Sequence, residues 1–254
     1  MREFSCDKMR VKIYPTRAEM GAGAAADIHA CLLALLAERA EVNMIFAAAP
    51  SQNETLAALL TYSDIDWTRV NAFHMDEYIG LPESAPQRFG NYLREHIFDR
   101  APFGRVFYID SGAADIDAEC ARYAALLEKY PTDIVCMGIG ENGHIAFNDP
   151  GVADFDDPKP VKIATLDEVC RMQQVHDGCF AALSDVPKTA LTLTVPTLLR
   201  GRHLFCSVPA PTKAAAVREM VTTDKIDEHC PASSLRLHDD AVLYCDADSA
   251  SLLP

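Results

Sequence analysis

Residues 133–138, Asp133-Ile134-Val135-Cys136-Met137-Gly138, form an almost unbroken apolar run. They lead directly into Ile139-Gly140-Glu141-Asn142-Gly143-His144-Ile145-Ala146-Phe147-Asn148-Asp149-Pro150-Gly151. A short apolar run without polar alternation reads as a strand buried on both faces, in the middle of a parallel sheet. The segments around it alternate in the same spirit. Runs 11–14, 42–48, 70–74, 189–195, 203–208 and 241–245 read as strands, and helical patterns cover 17–41, 51–62, 116–128 and 211–221. Two of those helices open on capping boxes, Thr16-Arg17-Ala18-Glu19 and Ser51-Gln52-Asn53-Glu54, in which a hydroxyl and a carboxylate satisfy free N–H groups. Repeated β-α alternation predicts an α/β fold: a three-layer, mostly parallel sheet with helices on both faces. No linker or internal repeat divides residues 1–254, so one domain is expected, with the Asp- and Pro-rich stretch 150–160 as its most mobile loop.

Composition narrows the function. There are 23 Lys and Arg against 37 Asp and Glu, a net charge of −14, and 49% of the 254 residues are hydrophobic. A large core is available, and nothing in the overall charge attracts nucleic acid or an anionic membrane surface. No uninterrupted apolar run approaches the roughly 18 residues of a membrane span. The start, Met1 to Asp7, lacks the apolar core of a signal peptide, which points to a cytoplasmic protein. The nine cysteines include no Cys-x-x-Cys pair and read as reduced small hydrophobes. With no His-Glu-x-x-His and no clustered Cys/His set, a zinc site is not expected.

Ligands of such folds sit beyond the carboxyl ends of the strands, so residues just after strands carry the functional reading. Gly138-x-Gly140-x-x-Gly143 superficially matches a dinucleotide fingerprint. However, that fingerprint needs a long helix opening at the third glycine, and Asn148-Asp149-Pro150-Gly151 breaks the chain within a few residues. The better reading is a turn whose glycines, Gly140 and Gly143, bring backbone close to a ligand and present His144, with Asp149 near enough to orient the imidazole. After the third strand, Phe73-His74-Met75-Asp76-Glu77-Tyr78 offers a pair of acids for acid/base chemistry or for simple capping. After the second strand, Ser51 and Gln52 lie at a helix start that could hold an anion. Lys213 falls in the first turn of a helix, the wrong end for a cation unless an anion is shared there. Arg171 reads equally as a phosphate clamp or a surface residue.

Together these segments resemble the glucosamine-6-phosphate deaminase/isomerase family. The resemblance rests on residues 73–81, on 138–150, and on Val186-Pro187-Lys188-Thr189-Ala190-Leu191-Thr192 with Thr197-Leu198-Leu199. Lys213-Ala214 and the segment 231–238 extend it, so that it covers most of the chain in order. The related 6-phosphogluconolactonases share the Gly-His turn but lack the Ile-Ala-Phe-Asn-acid-Pro continuation. The resemblance implies that the three-layer α/β sheet is Rossmann-like, and it implies conversion of an amino-sugar phosphate, glucosamine 6-phosphate to fructose 6-phosphate and ammonia, without cofactor or metal. In that chemistry His144 matches the ring-opening histidine and Asp76 the base at C2. Asp149 and Asn142 would orient His144, while Arg171 and Lys213, with Ser51 and Gln52, would hold the phosphate. Family members occur as monomers and as hexamers, so a homo-oligomer is compatible with the sequence.

The sequence departs from the family pattern in two places. Asn142 stands where the family often has Asp, and Asp149 where it usually has Glu. The phosphate turn, usually rich in glycine and hydroxyls, reads Ala48-Ala49-Pro50-Ser51-Gln52. Two other readings therefore stay open: a lactonase, which needs the histidine but no C2 base, and a sugar-phosphate sensor without turnover.

Overall fold

The computed structural model describes residues 1–254. In chain order its elements are β1 (Arg2–Cys6), β2 (Met9–Ile13), α1 (Arg17–Glu38), β3 (Val42–Phe46), α2 (Asn53–Leu59), β4 (Val70–His74), β5 (Asp76–Tyr78), α3 (Phe89–Leu93), β6 (Arg105–Phe107), α4 (Ile116–Lys129), β7 (Ile134–Met137), β8 (Val161–Thr165), α5 (Glu168–His176), β9 (Thr189–Leu193), α6 (Val195–Leu199), β10 (His203–Val208), α7 (Ala214–Thr222) and β11 (Ala241–Cys245). Eight strands form the main sheet in the order β1-β2-β11-β10-β7-β3-β4-β6, parallel throughout except for the β1–β2 hairpin. The all-apolar β7 lies at its centre, as its composition predicts.

Period-two geometry sorts the strand side chains onto two faces. From β7, Ile134 and Cys136 join the core under α1 and α2, with Met44, Phe46, Ala72, Phe205 and Tyr244. Val135 and Met137 point the other way, with Ile45, Phe73, Leu204, Cys206 and Leu243, toward Tyr123 of α4 and Val217 of α7. The cysteines behave as small hydrophobes: all nine are unpaired, and six of them are buried. Helix α1 is long and apolar enough to cross a membrane by length and composition alone. Here Met20, Ala24, Ala25, Ile28, Leu32, Leu35 and Leu36 are buried against the sheet instead.

Several boundaries differ from the sequence reading, each for a local reason. The first strand is the second arm of a hairpin, Met9–Ile13, whose partner β1 is too polar and exposed to show an apolar pattern. The 189–195 run forms β9 of a separate three-stranded antiparallel sheet, ordered β5-β9-β8. Ser51 does not cap a helix. Pro50 opens a 3-10 turn closed by Gln52 N–H on the Ala49 carbonyl, so α2 starts only at Asn53 and ends at Leu59, short of Tyr62. At the other capping box half of the expectation holds: Glu19 N–H donates to Thr16 Oγ1, but the Glu19 carboxylate accepts the Thr16 hydroxyl and not a backbone N–H. Stretch 150–160 is a loop tied down by Lys162, whose Nζ donates to Asp157 and to the Val152 carbonyl.

From β3 the chain moves outward through β4 to β6, then returns to the other side of β3 with β7, β10 and β11. The reversal between β3 and β7 is a topological switch point, where the loops leaving the strand ends separate and leave a crevice. Gly21 lets α1 and α2 approach closely beside that crevice. A Cβ there would lie 2.4 Å from Glu54 Cβ and 2.8 Å from the Glu54 carbonyl carbon. Helix propensity alone favours Gly21→Ala by about 1 kcal/mol. Overpacking against backbone that cannot rotate away costs about 1–3 kcal/mol. The clash wins: Gly21→Ala is expected to lower the urea midpoint at unchanged m-value, and a higher midpoint would contradict the close approach.

Candidate active site

The crevice is lined by the residues that leave four parallel strands. Ala47 to Ser51 follow β3, Met75 and Asp76 follow β4, Gly138, Ile139 and His144 follow β7, and Pro209, Ala210, Thr212 and Lys213 follow β10. Phe89 and Phe147 add an apolar wall, while Gln173, Gln174 and Asp177 close it from the α5 side.

His144 is held from behind. Its Nδ1 lies 2.7 Å from Asn142 Oδ1 and 3.0 Å from Asp149 Oδ1. Both neighbours are acceptors, so Nδ1 carries the proton and Nε2 keeps its lone pair. Asn142 is itself fixed: its Nδ2 donates to Asp149 at 3.0 Å and to Asp167 at 3.2 Å, and its Oδ1 also accepts the His144 N–H. Asp149 is fully buried. Burial raises its pKa, but the hydrogen bond and charge of His144, with the Asn142 amide, outweigh burial and hold the carboxyl below its ordinary range. Asp149 thus supplies the charge for His144 that Asn142 lacks. Glu141 does not share the task, because its carboxylate turns to His176 at 3.2 Å.

The glycines of the turn serve the histidine and do not line the crevice. A Cβ on Gly140 would fall 2.1 Å from His144 Cε1 and 2.2 Å from Nδ1, so the imidazole can lie there only over a bare backbone. Gly143 adopts φ +81°, a conformation that residues with a Cβ rarely take. The expectation that Gly140 and Gly143 touch the ligand is therefore replaced by a role in seating His144.

Asp76 is 7% exposed and lines the crevice, and its side-chain carboxylate accepts no hydrogen bond from the protein. Burial, and then the adjacent Glu77 charge, raise its pKa well above the ordinary aspartate value. Its backbone is fixed by His74, whose Nδ1 donates to the Asp76 carbonyl at 2.8 Å while Nε2 accepts the Ile109 N–H. Burial lowers the His74 pKa to about 4, so the ring is neutral and can accept that N–H. Glu77 points away from the crevice and accepts N–H groups from Tyr78, Phe89 and Gly90. Of the two adjacent acids, one is structural and one faces the ligand.

At the other end of the crevice Lys213 is buried, and its Nζ has no hydrogen-bond partner. Burial lowers its pKa, partly offset by Asp177 and Glu141. A buried, unpaired ammonium costs several kcal/mol unless an anion joins it. Beside it, Ala210 adopts φ +85°, and the Asp246 carboxylate holds that turn by accepting the Ala210 N–H at 3.1 Å. Ser51 also lines the crevice. Gln52 does not: its amide donates to Ser51 Oγ and to the Ser207 carbonyl, locking the turn to β10.

Arg171 is a second correction. Its guanidinium donates to the carbonyls of Leu183 and Val186, pinning the loop before β9, and it is not among the crevice residues. The cation that does line the crevice, besides Lys213, is Arg17 of α1. Sequence reading missed it because Arg17 reads as part of a capping box. Gln173, Gln174 and Asp177 were missed because α5 carries few apolar residues to reveal its period.

The raised pKa of Asp76 has a sign for stability. A carboxyl that binds its proton more tightly when folded stabilises below its unfolded pKa, about 3.9, and loses that contribution as pH rises through the folded value. Asp76→Asn removes the buried charge. Relative to wild type it should melt higher at pH 8, with the gap closing toward pH 3.5. Equal melting temperatures at both pH values would show that Asp76 is not desolvated.

Comparison with known proteins identifies the family and the fold. Residues 15–244 match the family of glucosamine-6-phosphate isomerases and 6-phosphogluconolactonase. A glucosamine-6-phosphate deaminase of Listeria welshimeri is 35% identical over 213 residues, 84% of this chain and 88% of that protein. The deaminase of Streptococcus sanguinis is 32% identical over 203 residues, covering 80% and 84%. The solved structure of a monomeric glucosamine-6-phosphate deaminase superposes with a TM-score of 0.87 at 29% identity, covering 95% of this chain and 99% of that one. A 6-phosphogluconolactonase from Thermotoga maritima shares the fold, with a TM-score of 0.75 at 18% identity over 93% and 98%. With a buried carboxylate, an oriented histidine and an unpaired lysine at one switch point, and matches of this length, the chain belongs to the glucosamine-6-phosphate isomerase/6-phosphogluconolactonase family.

Proposed function

We propose that the protein converts glucosamine 6-phosphate and water to fructose 6-phosphate and ammonia. The observation that carries this reading is the pairing in one crevice of a desolvated carboxylate, Asp76, with a histidine whose Nε2 is free, His144. The reaction needs two separate proton carriers. Nε2 of His144 takes the proton of the anomeric hydroxyl and returns one to the ring oxygen, opening the pyranose. Asp149 and Asn142 stabilise the imidazolium formed between those two transfers. The carboxylate of Asp76 then removes the C2 proton from the open aldehyde, giving an enolamine. A proton delivered to C1 leaves a C2 imine, water adds to C2, and ammonia departs. A carboxylate raised in pKa by burial is a better base toward carbon than an ordinary aspartate.

Lys213 fits the phosphate, because a dianion supplies the partner that its buried ammonium lacks. Ser51 and the N–H groups of Ala48 and Ala49, which find no acceptor within the protein, would contribute from the opposite side. A lactonase would use His144 to activate water and would have no need of Asp76. The desolvation of Asp76 therefore favours the deaminase among the activities of this family.

The test measures ammonia and fructose 6-phosphate released from glucosamine 6-phosphate. Wild type should turn over, and kcat/KM should fall as pH drops through an Asp76 pKa above the ordinary carboxylate range. Asp76→Asn should lose at least about 10³-fold in kcat, and Lys213→Ala should mainly raise KM, by about 10-fold or more. Turnover of 6-phosphogluconolactone that is indifferent to Asp76→Asn, with none of glucosamine 6-phosphate, would overturn the assignment.

A further inference from the structure

Arg17 is the one crevice cation to which no role has yet been given. It sits in the first turn of α1, where the helix dipole already gathers positive charge and disfavours a guanidinium. It is nevertheless held in place. Nε lies 2.8 Å from Glu54 Oε1, and one terminal nitrogen donates to the Pro50 carbonyl. The close approach of α1 to α2 at Gly21 brings Arg17 to this turn. A guanidinium has five N–H donors in a rigid fork. The Glu54 contact is an ion pair that leaves the Nε–H without a hydrogen-bond acceptor, and the other terminal nitrogen has none either.

The turn that Arg17 touches is poor in groups for holding an anion. Ala47, Ala48, Ala49 and Pro50 offer no side-chain donor, Pro50 offers no N–H, and Ser51 Oγ already accepts from Gln52. Lys213 also lines the crevice, as a single point charge. A phosphate has more acceptor sites than one ammonium, one hydroxyl and two backbone N–H groups can meet.

We propose that Arg17 binds the phosphate of the substrate, forming with Lys213 a two-cation clamp in which the guanidinium takes the place of side-chain donors on the turn. The assignment rests on the reading of the crevice as a sugar-phosphate site. In the resting protein Glu54 competes for the same guanidinium, so Glu54 weakens phosphate binding. This competition separates the proposal from a purely structural role. As a ligand, Arg17 binds phosphate better once Glu54 is neutral. As a staple between α1 and the turn, Arg17 needs Glu54, and losing either residue does the same harm.

The experiment compares Arg17→Ala, Arg17→Lys and Glu54→Gln by steady-state kinetics with glucosamine 6-phosphate, alongside thermal melting. Arg17→Ala should raise KM about 10-fold or more with kcat within about threefold, and Arg17→Lys should recover part of the loss. Glu54→Gln should lower KM about twofold or more. A rise in KM in both Arg17→Ala and Glu54→Gln, or an unchanged KM in Arg17→Ala, would overturn the proposal. If wild type does not turn over this substrate, the reading of the crevice fails. Arg17 is then judged by calorimetric titration with inorganic phosphate. Affinity weakened in Arg17→Ala and tightened in Glu54→Gln supports the clamp, and equal affinity in all three proteins rejects it.

Discussion

The structure turns on a carboxylate kept away from water without a partner. Asp76 opens β5 just after β4, near a neutral buried His74 that fixes its backbone and beside a buried Glu77 that accepts the N–H groups of Tyr78, Phe89 and Gly90. Those contacts immobilise everything around the Asp76 side chain except the side chain itself. Folding therefore leaves one group in a state that costs stability and gains reactivity, the exchange expected where a proton is to be taken from carbon. The same crevice holds the oriented imidazole of His144, the apolar wall of Phe89 and Phe147, and the cations Lys213 and Arg17.

His144 shows how a sequence departure is absorbed. Replacing a carboxylate with the Asn142 amide removes a charge but adds a donor. That donor joins Asp149 and Asp167, while the amide oxygen still shares the Nδ1 proton with Asp149. The tautomer is fixed as firmly as a second acid would fix it, and only one full charge lies against the ring. The net charge of −14 likewise does not describe the crevice. Lys213 and Arg17 both line it, and the long-range acidity is screened over roughly 8–10 Å at moderate salt.

Much of the architecture was legible because strongly patterned segments obey local rules. The apolar run of β7, the capping box at Thr16 and the β-α alternation each follow from backbone geometry and burial. The polar β1, the short β6 and the second sheet were not legible. Their residues are half exposed or too few to carry a period, and their pairing is set by partners distant in sequence. In the site, Asp76, His144, Asp149 and Lys213 were found because they follow strands in a parallel sheet. Arg171 was misplaced because a lone arginine in a helical segment gives no sign of whether it meets carbonyls or a ligand. Gln52, Gly140 and Gly143 were given ligand contacts, although they act through Ser51, Ser207 and His144. Such indirect roles depend on close approaches that no local pattern encodes. Arg17 escaped notice because its significance depends on how near α1 comes to α2.

The claim on which the account stands is that Asp76 breaks the bond between C2 and hydrogen. The direct measurement is turnover of glucosamine 6-phosphate carrying deuterium at C2, followed by kinetics and by the isotope content of fructose 6-phosphate. The account predicts slower turnover of the deuterated substrate, loss of deuterium from C2, and no cleavage of that bond by Asp76→Asn. Cleavage at the wild-type rate in Asp76→Asn would contradict it.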